Sequence, residues 1–198
     1  MIITFNFIFR FIVIVLILMW EFYWVITEQV ANRERPKKNI TGILGLYKKI
    51  RRSFLPFVEV VLILQLLGLQ LFPLSNTSFL IQLCGFIMVI AGIGVAISAR
   101  KTLGINWVPA ADYQVKEKQD LVTAGIYAYI RHPIYLGVFL IITGGELVAQ
   151  SYLVLIGLLI IANCYWQACL EERLLLSHFG NSYKTYMKRT KMFLPYLW

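Results

Sequence analysis

The chain has 198 residues, 59% hydrophobic and only 15% charged, with a formal net charge of +9 and a mean hydropathy of +0.71. Its apolar residues come in long runs rather than on alternating faces. No polar surface is left to keep a globular fold in water, and the soluble classes are excluded. A spanning helix needs roughly 20 mostly apolar residues for a hydrocarbon core about 30 Å thick. Several segments meet that length, and the expectation is a single integral membrane domain over 1–198, with N-terminal spans in 1–75 and a catalytic part in 76–198.

The first predicted span runs from about Ile3 to Ile26, broken only by Asn6, Arg10 and Glu21, with Trp20, Tyr23 and Trp24 as an aromatic belt. It lacks a basic n-region and a small-x-small cleavage site, so it is expected to remain as an anchor rather than a signal peptide. A polar loop follows, with Arg33, Arg35, Lys37, Lys38, Lys48, Lys49, Arg51 and Arg52. The second span is predicted over Phe54–Phe72, then an uncharged turn over Pro73–Ser78, then a third span over Phe79–Ala99 that stops at Arg100-Lys101. Gly92 and Gly94 inside it read as helix packing, because no strand precedes them to make a dinucleotide loop. Cys84, Cys164 and Cys169 lie in apolar runs without CxxC spacing or a nearby histidine; they read as packing residues, and no metal site is expected.

Residues 101–132 form a longer polar segment holding Pro109, Asp112, Lys116, Glu117, Lys118 and Asp120. Ordered loops of that length are usually functional. Pro133 suits the first turn of a helix, where its missing N–H has no partner to lose. Ile134–Leu170 is too long for one span and reads as a hairpin turning near Ala149–Tyr152. The tail from Glu171 is basic and amphipathic, with Leu174, Leu175, Phe179, Tyr183 and Tyr186 at helical spacing. The basic residues fall in alternate segments, and the two remaining turns carry no Lys or Arg. That pattern predicts an all-α polytopic bundle of about five spans, N-terminus outside and C-terminus cytoplasmic. The positive face then meets anionic lipid, and no nucleic-acid motif accompanies it.

Polar residues gather at two places on the cytoplasmic side: Gly125 through Tyr135, and Glu171-Glu172-Arg173. Adjacent glutamates near a helix C-terminus oppose the macrodipole, so either the helix continues or a cation or donor faces one of them. The elements Gly125, Tyr127, Arg131-His132-Pro133, Tyr135, Glu171-Glu172, Leu175, Phe179-Gly180, Tyr183 and Tyr186 together resemble the isoprenylcysteine carboxyl methyltransferase family, within a wider group that includes phospholipid methyltransferases.

The resemblance covers roughly the C-terminal half and implies S-adenosylmethionine at the cytoplasmic face. It implies cofactor contacts from Gln119, Asp120, the Leu121-Val122 backbone, Tyr127, His132, Pro133, Ile134, Tyr135 and Glu171. It implies a lipophilic or prenylated acceptor; Arg131, Gln167 and Glu172 are the candidate residues for acceptor chemistry, and membrane lipids are further partners. Two positions depart from the family pattern: Gln119 replaces a histidine, and Gln167 replaces an arginine that faces the substrate. With no fixed cation at Gln167, Arg131 is expected to serve a carboxylate acceptor. Arg173 lies about 200° around a 3.6-residue helix from Glu171 and points away. An amine acceptor would need a base, Glu172 or His132. Two further readings stay open: a non-enzymatic lipid- or partner-binding protein, and a reductase of similar helical architecture.

Overall fold

The computed structural model describes residues 2–32, 43–75, 78–108 and 119–195. The basic cluster Arg33–Lys38 and the residues Pro109, Asp112, Lys116, Glu117 and Lys118 lie outside them. Six α-helices follow in order among the described residues: α1 (Ile2–Asn32), α2 (Ile43–Leu66), α3 (Phe79–Leu103), α4 (Pro133–Ala149), α5 (Ile156–Phe179) and α6 (Asn181–Arg189). Short 3₁₀ turns occupy Gly104–Asn106, Gly125–Ala128 and Tyr152–Leu155. No strand occurs there, only isolated bridges between Pro73 and Ser151 and between Ile130 and Lys191. The all-α expectation holds. Three helical segments are long and apolar enough to cross a membrane, Asn6–Gln29, Phe79–Asn106 and Tyr152–Phe179, and two shorter apolar helices, Ser53–Leu66 and Pro133–Ala149, bring the number to five.

The apolar segments of α1 to α5 are hydrophobic on most sides, as lipid-facing helices are, whereas α6 is polar. On α1, Val13, Ile17 and Trp20 are buried, whereas Phe7, Phe11 and Phe22 are about 70% exposed. Such exposure would be a liability in water and suits a hydrocarbon surroundings.

The chain divides into two compact units. The first comprises residues 1–89 and 142–155. Here α2 ends at Leu66, six residues before the predicted limit of Phe72. Gly68 adopts a left-handed φ of +117° and donates to Gln65 O, while Leu69 donates to Leu64 O. This pairing closes a helix and needs a residue that tolerates positive φ. The start of α2 at Ile43 also turns the second basic cluster from loop into helix. Gly85 and Gly144 let α3 and α4 approach: a Cβ on Gly144 would stand 2.6 Å from Gly85 O and 2.8 Å from Met88 Cβ.

The second unit comprises residues 90–141 and 156–198. Pro133 opens α4 as expected, with the His132 carbonyl accepting the Leu136 N–H at 3.3 Å. α5 continues through both glutamates to Phe179, and Gly180, at φ +54°, separates it from α6. The tail is therefore two helices rather than one amphipathic stretch. Gly92 packs as expected, since a Cβ there would meet Gly137 O at 2.7 Å and Leu140 Cβ at 2.9 Å. Gly94 does not, for its Cβ would meet nothing within 4 Å. The difference is rotational: two residues apart on a helix, the glycines face opposite ways.

Overpacking a helix contact costs typically about 1–3 kcal/mol, while Gly→Ala in an open helical position gains up to about 1 kcal/mol of propensity. Gly92→Ala is therefore expected to lower the midpoint of thermal unfolding in detergent and Gly94→Ala to leave it level or raise it. Equal shifts in the two variants would remove the close α3–α4 approach as the reason for Gly92.

Candidate functional site

The site lies wholly in the second unit, where three stretches converge: residues 125–135, the C-terminal half of α5, and residues 186–193. Backbone pairing holds the first to the last. Lys191 N donates to Tyr129 O at 3.1 Å, Arg131 N to Lys191 O at 2.8 Å and His132 N to Met192 O at 3.0 Å. Tyr186 adds a side-chain bond, its hydroxyl donating to Tyr127 O at 2.7 Å. Burial pushes the Tyr186 phenol up to about 12, so the group stays a neutral donor over the physiological range. The Tyr127 and Tyr183 phenols are also raised, by burial first and then by nearby carboxylate charge, from Glu171 on Tyr127 and from Glu172 on Tyr183.

Glu172 is the centre of the cluster. Its side chain is 9% exposed, and Arg131 Nε donates to Oε1 at 2.6 Å. His132 Nε2 approaches the same oxygen at 3.3 Å. Arg131 Nη1 donates in addition to the carbonyls of Met187 and Thr190. One guanidinium thereby links α5, the turn before α4 and the end of α6. Buried charges persist where they are paired and hydrogen-bonded, and this pair meets both conditions.

Glu171 behaves differently. Its side chain is 42% exposed. Tyr135 donates its hydroxyl to Oε2 at 3.1 Å, and His132 Nδ1 lies 3.7 Å from that oxygen, beyond hydrogen-bond length. Oε1 carries no hydrogen bond among the described residues, so it is available to an incoming donor. His132 and Tyr135 stack at 5.5 Å with a 20° interplanar angle, and Phe193 tilts against His132 at 6.1 Å. The result is an aromatic wall beside a half-engaged carboxylate.

Gln167 is buried one turn before Glu171, about 40° around the helix at 3.6 residues per turn. Pro133 is buried and Ile134 half-buried at the start of α4. Arg173 is exposed, in keeping with its expected direction. Gln119, Asp120, Leu121 and Val122 form an irregular stretch anchored where Asp120 N donates to Asn106 Oδ1 at 2.9 Å. The structure thus gathers Arg131, His132, Tyr135, Glu171 and Glu172 into one network, joins Tyr127 to it through Tyr186, and ties Gln119–Val122 to the 3₁₀ turn that follows α3.

Three participants were not singled out from sequence. Arg100, read only as the stop after the third span, is buried, donates to Gly104 O at 3.1 Å and stacks 3.9 Å over the Trp107 ring. Thr190 and Phe193 close the cluster from the tail. An arginine followed seven residues later by tryptophan was the available signal for the first pair; for the tail residues there was none, because their partners are distant in sequence.

The isolated pieces have counterparts in known proteins. A family model described as phospholipid methyltransferase matches residues 80–182, 103 of the 198. A protein-S-isoprenylcysteine O-methyltransferase of Xenopus laevis is 29% identical over 59% of this chain and 41% of its own length. One of Dictyostelium discoideum is 26% identical over 89% of this chain and 72% of its own. One of Schizosaccharomyces pombe is 35% identical over 38% of this chain and 33% of its own. The chain thus spans less than half the length of the frog and fission-yeast relatives. Among solved structures, a eukaryotic intramembrane Ras methyltransferase, the isoprenylcysteine carboxyl methyltransferase, shares the fold with a TM-score of 0.58 at 18% identity, over 86% of this chain and 60% of that one.

Removing one partner of a buried ion pair typically costs about 3–5 kcal/mol. Glu172→Ala should destabilise the protein by that order in reversible unfolding from mixed micelles, because Arg131 stays buried without its counter-ion. The double variant Arg131→Met/Glu172→Ala should lose about 1–3 kcal/mol less than the two singles summed. Additive singles would show that the two side chains do not act as a pair.

Proposed function

The chain belongs to the phospholipid methyltransferase family, and from that premise we propose that it transfers a methyl group from S-adenosylmethionine to a lipophilic acceptor at the cytoplasmic membrane face, the acceptor being a carboxylate of the isoprenylcysteine type. The observation that carries the reading is Glu171. It is a half-exposed carboxylate with one oxygen held by Tyr135 and the other open, beside the stacked rings of His132 and Tyr135. That donor set fits the cofactor: the open oxygen takes the ammonium or a ribose hydroxyl, and the aromatic wall takes a flat or sulfonium-bearing portion. Tyr127, Pro133, Ile134 and the Gln119–Val122 stretch complete the pocket in this reading. The isoprenylcysteine O-methyltransferase names of the relatives support the acceptor class.

S-adenosylmethionine, when bound, supplies an electrophilic methyl on a sulfonium. With it bound, an acceptor carboxylate oxygen would form the new C–O bond as the C–S bond broke, and the opposite charges of acceptor and sulfonium would both be lost. The protein's part is alignment and exclusion of water, since charge that disappears in the transition state is favoured in an apolar surrounding. Glu171 and Tyr135 hold the donor; Arg131 and Gln167 hold the acceptor. Arg131 is the charged donor of the cluster, and its Nη2 carries no hydrogen bond among the described residues, which leaves it for a carboxylate. Glu172 fixes the guanidinium in that position. The buried neutral amide at Gln167, where carboxyl-methylating relatives in the resemblance carry arginine, favours an amine lipid as the second reading.

The basic segments support an orientation with the N-terminus outside and the C-terminus cytoplasmic. On a background with Cys84, Cys164 and Cys169 replaced, Thr123→Cys and Lys188→Cys should label from the cytoplasm and Ser75→Cys from the opposite side. Thr123→Cys and Ser75→Cys labelling from one side would overturn this arrangement.

A charged hydrogen bond is worth about 1.5–3 kcal/mol, or roughly tenfold to a hundredfold in affinity. Glu171→Ala should weaken S-adenosylhomocysteine binding by that factor in calorimetry. With radiolabelled donor and a prenylcysteine analogue, Arg131→Gln should abolish transfer while still binding S-adenosylhomocysteine, and Gln167→Ala should only slow it. Transfer by the unaltered protein to an amine lipid but not to the prenylcysteine would replace the carboxylate reading with the amine one.

A further inference from the structure

The first unit contains a polar site that the methyl-transfer reading does not use. Asn6, Arg10, Gln65, Gln70, Ala149 and Gln150 line a cavity of about 110 Å³ that opens to the surroundings. That is several times the roughly 10–15 Å³ one water needs and below the roughly 300–1,000 Å³ of sites that enclose a whole small ligand, so it takes a polar headgroup and not a complete molecule. Arg10 lies inside the first spanning helix, and a cation there is expected to have a partner and a purpose. Its Nη2 donates to Ala149 O at 3.0 Å, its Nε is buried without a hydrogen-bond partner, and no carboxylate pairs with it among the described residues. Gln65, itself buried, shares its amide N–H group between both oxygens of Glu146 at 3.0 Å, which leaves its own Oε1 buried and unpaired. Two of the residues that line the cavity therefore carry an unused charged donor and an unused acceptor. Buried polar groups are almost always satisfied, so two orphans at one cavity point to a ligand bearing both complements.

We propose that this cavity holds the headgroup of a membrane phospholipid, with the phosphodiester against Arg10 and a headgroup ammonium or hydroxyl donating to Gln65 Oε1. The guanidinium fork matches phosphate oxygens, and a single cation matches a singly charged diester. The rim favours a lipid over free phosphate. Gln70 is exposed there, and next to it Leu67, Leu69 and Phe72 present large apolar side chains outward at the end of α2, where acyl chains would run. Asn6 and Gln150 are fixed in place, Asn6 Oδ1 accepting from Gln82 at 2.7 Å and Gln150 Nε2 donating to Ser78 O at 3.3 Å, so the cavity is a built one.

The test uses the full chain, purified and delipidated, in native mass spectrometry against four probes: phosphatidylethanolamine, phosphatidylcholine, diacylglycerol and inorganic phosphate. Phosphatidylethanolamine should be retained best. Phosphatidylcholine, which has phosphate but no headgroup donor, should be retained less, and diacylglycerol about tenfold less or worse, as for loss of a charged hydrogen bond. Arg10→Gln should remove the advantage of phospholipid over diacylglycerol. Gln65→Leu should remove only the preference for ethanolamine over choline, and it keeps the proposal testable if Arg10→Gln fails to fold. Equal retention of diacylglycerol, or unchanged lipid selectivity in both variants, would overturn the proposal. Binding of inorganic phosphate with no phospholipid selectivity would assign the cavity to a free anion instead.

Discussion

An ionised carboxylate with almost no exposed surface has to find donors around it, and Glu172 finds them in Arg131 and His132. The rest of the second unit follows from that requirement. Arg131 reaches Glu172 only if the turn before α4 lies against α5, and its remaining bonds to Met187 and Thr190 bring the end of α6 to the same place. Once α6 is there, Tyr186 can close on Tyr127 and Phe193 on His132. The neighbouring Glu171 is relieved of structural work because its partner has taken it. One glutamate of the pair turns inward and holds the fold; the other keeps an open oxygen toward the surroundings, as the proposed cofactor contact requires.

A related constraint shapes the first unit. Hydrocarbon offers no hydrogen bonds, so every polar group in a spanning helix has to be satisfied from within the protein. Gln65 meets Glu146, Gln82 meets Asn6 Oδ1 and Val148 O, and Ser151 donates to Leu71 O. These bonds join residues more than sixty positions apart and replace the hydrophobic contrast that drives helices together in water. Small residues do the remainder, with Gly85 against Gly144 here and Gly92 against Gly137 in the second unit letting backbones touch. Arg10 Nε and Gln65 Oε1 are the exceptions to full satisfaction in this unit among the described residues.

Much of this was readable in the residues because the bilayer imposes long-wavelength rules. A run of about twenty apolar residues is a helix of known length whatever surrounds it. Pro133 marked a helix start, the uncharged stretch at Ala149–Tyr152 marked a hairpin, and the glutamate pair required either a longer helix or a facing cation; the structure has both. The motif residues from Tyr127 to Tyr135 and Glu171-Glu172 were recognisable together because their spacing is preserved in one chain segment each.

What the sequence alone determined, then, is the all-helical membrane architecture and the identity of the polar residues at its ends, since both depend on composition and on spacing within single segments. Tertiary structure alone decided where α2 stops, because a Schellman closure at Gly68 overrides the apolar run that continues to Phe72. It decided that Gly92 is a packing residue and Gly94 is not, a matter of which side of α3 meets α4. It also decided that Arg131 answers to Glu172 and two tail carbonyls, and that Arg10 and Gln65 are left with unused atoms at one cavity. Each of these is a pairing between residues far apart in the chain, and the energy of a hydrogen bond or a close contact depends on a partner that no local pattern of residues can name.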